Sequence, residues 1–105
     1  MNKLQERLYH APSIDLPYCP FCGRPATNRH HIVPRSQGGR DGATVTVCGM
    51  GNASGCHKKL HEHRLHMRFT GQWEYIETEQ PTKYETALAL EGWRVLPVHE
   101  FGEWI

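Results

Sequence analysis

His30-His31-Ile32-Val33-Pro34-Arg35-Ser36-Gln37-Gly38-Gly39, then Cys48, then Cys56-His57-Lys58-Lys59-Leu60-His61-Glu62-His63, is the stretch that decides the reading of this sequence. Two adjacent histidines open it and a histidine pair spaced i, i+4 closes it. Cysteines stand at Cys48 and Cys56, and an earlier Cys19-Pro20-Phe21-Cys22-Gly23 precedes it. Packing alone does not call for so many metal-ligating side chains in so short a stretch.

The local pattern is strand, loop, strand, helix. Residues 29–33 read as a short strand and 35–42 as a glycine-containing loop. Thr44-Val45-Thr46-Val47 is β-branched throughout and reads as a second strand. Residues 49–55 form a loop of small residues, and Ser54 or Gly55 can cap a helix running to about residue 64.

The cysteines suggest one tetrahedral site. Cys-x-x-Cys followed by Gly is the form of a zinc knuckle, in which a tight turn aims two thiolates at one ion. A redox pair would need a strand-to-helix context, whereas Pro20 and Gly23 suit a turn. Cys19, Cys22, Cys48 and Cys56 together would close a structural Zn²⁺ site; a variant in which a histidine replaces one cysteine is the alternative. On a helix, neighbours point ~100° apart, so Cys56 and His57 serve different sites. His57 and His61 share a face. Strand neighbours His30 and His31 point to opposite faces, so one can join His57 and His61 while the other stands free. Three protein ligands with an open position is a catalytic arrangement. His10, His63, His66 and His99 read as ordinary polar surface.

With these residues assembled, the stretch from Cys19 to about His63 resembles the HNH endonucleases of the ββα-metal (His-Me finger) superfamily, and among them small phage-like members. The resemblance implies metal-dependent hydrolysis of phosphodiester bonds in DNA, by nicking or double-strand cutting. It assigns His31 as the general base. It assigns His30, His57 and His61 as ligands of a catalytic divalent ion (Mg²⁺, Mn²⁺, Ni²⁺ or Zn²⁺), beside structural Zn²⁺ on the four cysteines. Arg35 is placed to clamp a phosphate oxygen, while Arg29, Lys58 and Lys59 would hold backbone phosphates by charge. Two departures are visible. The family usually carries Asn about five residues before the third cysteine, where this sequence has Ala43; Asn28 and Asn52 are the candidate substitutes. The last two cysteines are commonly two residues apart, and here seven residues separate them. The rival function is a non-catalytic zinc module that binds nucleic acid; a second is a zinc-stabilised adaptor with no nucleic acid.

The rest of the sequence sets the frame. At 105 residues it reads as a single α+β domain, with a zinc-stapled ββα-metal (HNH) core over about 18–64 and a C-terminal β-hairpin and helix extension over 65–105. Mean hydropathy is −0.63, and no apolar run approaches the ~20 residues of a membrane span. A cytoplasmic setting, in a bacterial or phage-infected cell, with no membrane partner, is expected. Net charge is +1, but it is unevenly placed. Residues 24–68 hold eight Lys/Arg and two Asp/Glu, giving +6; the remainder holds four and nine, giving −5. The histidine-bearing segment therefore suits an anionic partner, and the acidic C-terminal part suits a protein partner. Residues 1–9 read as a short helix and 11–17, with two prolines, as an extended arm. Residues 65–80 read as a hairpin turning at Thr70-Gly71. Thr82-x-x-Glu85 reads as a capping box for a helix with Tyr84, Ala87, Leu88 and Glu91 on one face, stopped by Gly92. Residues 93–98 read as a last strand. Trp73, Tyr75, Trp93 and Trp104 read as core.

Overall fold

The computed structural model describes residues 2–96, 98, 99, 103 and 104, with the side chains of 52, 98, 99, 103 and 104 outside the description. The fold is α+β. Helix α1 spans Lys3–Tyr9 and begins with a reciprocal capping box: Asn2 accepts from the Gln5 backbone and Gln5 accepts from the Asn2 backbone. Two orphan donors of a short helix are thereby satisfied.

Strands β1 (Asn28–His31) and β2 (Thr44–Val47) pair antiparallel, with His30 opposite Val45 and His31 opposite Thr44. The arm before them is more than a spacer. Ile14 bridges Val45 in parallel, and its carbonyl accepts from Thr46. Leu16 N–H donates to Thr46 Oγ1 at 3.0 Å. The proline-containing segment therefore lines the free edge of β2 and buries Ile14 and Leu16.

Helix α2 spans Gly55–His61. It stops three residues short of the expected end because Glu62 caps it and His63 adopts φ +58. That reversal lets Leu65 start β3 (Leu65–Phe69), which pairs with β4 (Trp73–Glu77) in the expected hairpin. Strand β5 is only Arg94–Val95, added to the other edge of β4. The expected strand over 93–98 is thus shorter, and part of it lies outside the described residues. Val98–His99 (β6) pairs with Glu103–Trp104 (β7).

Helix α3 spans Tyr84–Leu88 and corrects two expectations. Its N-cap is Lys83 without a side-chain cap, because the Thr82 hydroxyl donates to the Gln80 carbonyl at 2.9 Å and lies 3.3 Å from Thr78 Oγ1. It ends at Ala89, before Glu91 and Gly92.

One buried cluster joins Leu8, Ile14, Val33, Val45, Val47, Leu65, Met67, Trp73 and Leu96. It therefore draws on the segment before residue 65 and the segment after it. Trp73 is fully enclosed, and its Nε1–H donates to the Pro12 carbonyl at 2.9 Å. Tyr75 and Trp93 are half-buried; the side chain of Trp104 lies outside the description. His66 corrects the surface reading: it is buried, because Tyr84 covers the second face of β3 and the His63 carbonyl accepts from its Nε2 at 2.8 Å. Among the described residues, no helix is long and apolar enough to cross a membrane.

Candidate metal centre

The fold brings Cys19, Cys22, Cys48 and Cys56 into one group able to hold a metal ion. The knuckle turn closes through Gly23 N–H to the Cys19 carbonyl at 2.9 Å and Cys19 N–H to the Arg24 carbonyl at 2.7 Å. Cys48 ends β2 and Cys56 opens α2. Cys56 N–H donates to Cys48 Sγ at 3.3 Å. All four cysteines are free. Cys22 Sγ and Cys48 Sγ lie 3.5 Å apart, far beyond the ~2.05 Å of a disulfide and close to the ~3.8 Å edge of a tetrahedron with ~2.3 Å metal–sulfur bonds.

Crowding sulfurs splits their acidities. A hydrogen bond from the Cys56 thiol holds Cys19 down at about 5. Cys56 is pushed up, by that same bond to Cys19 and then by burial. Cys22 is pushed up, by burial and then by the Cys48 and Cys19 sulfurs. Four thiolates so close together repel, and a divalent cation at their centre removes the conflict.

The second group is His30, His57 and His61, whose ligand nitrogens lie within 4.8 Å of one another. The three rings stand around a common point, with centroids 5.2 Å (His30–His57), 5.2 Å (His30–His61) and 4.8 Å (His57–His61) apart. His57 Nε2 and His61 Nε2 are separated by 3.2 Å. Tetrahedral coordination with ~2.05 Å metal–nitrogen bonds sets that separation at ~3.3 Å, so the donor set fits a small divalent ion. Burial first, then the His57 and His61 rings, push His30 down to about 3. Burial, then His61, lower His57. Both rings are thereby held neutral, the form a metal requires. His57 is buried, His30 half-buried and His61 exposed, so the group opens to solvent on one side.

His31 stands outside the trio. It follows His30 on β1 and so points to the opposite face, opposite Thr44 in register. Arg29 shares that face. Its guanidinium donates to Thr44 Oγ1 at 3.1 Å and to Asp15 at 3.1 Å. Arg35 is exposed on the single 3₁₀ turn Arg35–Gln37 within the expected loop. Lys59 pairs with Glu77 at 3.1 Å, and Lys58 approaches Glu62 at 3.9 Å. Both lysines line a cleft beside the cysteines together with Arg24 and Arg64. The sequence reading left out those two arginines; their place inside the +6 segment was the available signal.

Ala43 is buried between Tyr9, whose carbonyl accepts from it, and Ile32, which donates to it. It brings no amide to the site. Asn28 does bring one, donating Nδ2 to the Gly49 carbonyl, a bond that Thr27 Oγ1 shares. The side chain of Asn52 lies outside the described residues.

Comparisons with family models, with curated proteins and with solved structures returned no match.

Proposed function

We propose that the protein is a metal-dependent endonuclease of the ββα-metal (HNH) type acting on DNA. The observation that carries this reading is the trio His30, His57 and His61, with a further histidine, His31, outside that group and next along the strand. Structural Zn²⁺ on Cys19, Cys22, Cys48 and Cys56 would fasten the knuckle, β2 and α2 to one another.

When bound at the trio, the divalent ion supplies electrostatic stabilisation of the charge that develops on the phosphate and the leaving oxygen. The chain's own residues do the rest. His31 accepts a proton from the attacking water at a ring nitrogen. The water oxygen bonds to phosphorus, the bond to the leaving oxygen breaks, and that oxygen takes a proton from solvent. Arg35, exposed beyond Pro34, offers a two-pronged grip on a phosphate oxygen. Lys58 and Lys59 add backbone contacts. For Arg29, a phosphate competes with an exposed ion pair to Asp15 worth at most ~1 kcal/mol.

Ala43 favours a second reading, a zinc module that binds nucleic acid without cutting it, because no side-chain amide steadies the loop at that position. Incubation of the purified protein with supercoiled plasmid, with Mg²⁺ or Mn²⁺ and with EDTA, separates the two. Nicking that needs the ion supports the nuclease; tight, salt-sensitive binding with no cleavage under any divalent ion supports the module.

A further inference from the structure

The loop between Cys48 and Cys56 is the longest departure from the family spacing, and it lies against the histidine trio. Gly49 takes φ +131, and a Cβ there would meet the Ser54 carbonyl at 2.2 Å and the His57 Cβ at 3.3 Å. His57 N–H donates to the Cys48 carbonyl at 3.2 Å. The loop backbone thus presses on His57.

His57 itself carries an unanswered polar atom. Its ring is buried, Nε2 faces His61, and Nδ1 is buried without a hydrogen-bond partner among the described residues. A histidine that ligates through Nε2 presents an N–H at Nδ1, and that N–H needs an acceptor to fix the ring. A buried donor left unmade costs ~1–3 kcal/mol. The loop packs against α2, the helix that carries His57. Gly51 opens the 3₁₀ turn Gly51–Ala53 inside this loop. The loop is tethered at its start, where the Gly49 carbonyl receives both Asn28 Nδ2 and Thr27 Oγ1 from the β1 side.

We propose that the loop over 49–55 is a strap for the histidine site, in which a backbone carbonyl of the loop takes the His57 Nδ1 hydrogen once an ion is bound and Asn28, through Gly49, holds the strap in place. This rests on the reading that His30, His57 and His61 bind a divalent ion. Asn28 is then a positioning residue for the metal. The seven-residue spacing lets one segment, anchored at both ends in the thiolate site, lie beside the imidazole site.

The test uses the full chain loaded with zinc at the cysteines and titrated with Co²⁺ as probe, for wild type, Asn28→Ala and the isosteric Asn28→Asp, which cannot donate. Visible spectra distinguish imidazole-bound from thiolate-bound Co²⁺. The strap predicts that both variants keep their zinc and fold but bind Co²⁺ at the histidines ~10–100-fold more weakly. It also predicts a slowly exchanging His57 Nδ1–H resonance in the metal-loaded wild type. Co²⁺ affinity within twofold of wild type in both variants, or a His57 ring bearing no Nδ1–H, overturns the strap and leaves the metal site standing. Wild type that takes no Co²⁺ at its histidines overturns the metal site and the strap together.

Discussion

His57 and His61 stand one helical turn apart on α2, and their Nε2 atoms meet at 3.2 Å, with no acidic side chain joining their group among the described residues. Two neutral imidazoles in that position share a single hydrogen bond, whereas an ion between them engages both lone pairs. His61→Ala removes one of three ligands at the exposed rim of the site. Divalent-ion affinity at the histidines should fall by at least ~10²-fold, while the four-cysteine metal and the fold remain. Metal content after dialysis, with circular dichroism, checks this. Retention of two metals per chain would sink the assignment.

The cysteine group has a different duty. With an ion bound, it would tie the knuckle turn, the end of β2 and the start of α2 around buried Cys19, Cys48 and Cys56. In a domain this small, metal binding is part of the folding energy. Cys19→Ser and Cys48→Ser should each give unfolded or insoluble protein, and a strong chelator should lower the melting temperature of wild type. Stable, folded, zinc-free variants would contradict the structural role.

Stability should fall with acid. His30, His57 and His66 all have folded values below the ordinary ~6.5, with burial the leading cause for each. The folded state prefers them neutral, so their contribution is complete above ~6.5 and is lost as pH drops toward the folded values. The expected slope is up to ~1.4 kcal/mol per pH unit for each proton the unfolded chain takes up. His66 belongs to neither metal group, so His66→Gln isolates its share. Urea midpoints from pH 7.5 to 5 should decline in wild type and decline less steeply in this variant.

Much of this architecture was legible in the sequence because it depends on short-range pattern. Thr44 to Val47 announced β2, the Thr70-Gly71 turn announced the hairpin, and the i, i+4 spacing put His57 and His61 on one face. What stayed hidden depends on contacts distant in sequence. Ile14 and Leu16 looked like part of an extended arm, yet pairing with β2 makes them core. His66 looked like surface until Tyr84, far along the chain, covered it. Thr82 matched a capping box but found Gln80 and Thr78 instead. The role proposed for Asn28 rests on a bond to a carbonyl 21 residues away, which no local motif encodes.

Gly55 marks where the two metal groups share backbone. It adopts φ +68, and a Cβ there would lie 2.8 Å from the Cys48 carbonyl oxygen. Gly55→Ala should destabilise the protein by at least ~1–3 kcal/mol through strain at a left-handed position and speed zinc loss to a chelator. A melting temperature and release rate equal to wild type would show that the turn has room to spare.

The central claim is that His31 is the base and touches no metal. The most direct measurement is the initial rate of plasmid nicking, with metal content, for wild type and His31→Ala. The account predicts that His31→Ala folds, keeps both metals and binds DNA, yet nicks at least ~10²-fold more slowly, the range of a positioned acid-base group. His31→Ala that cuts as fast as wild type would contradict it.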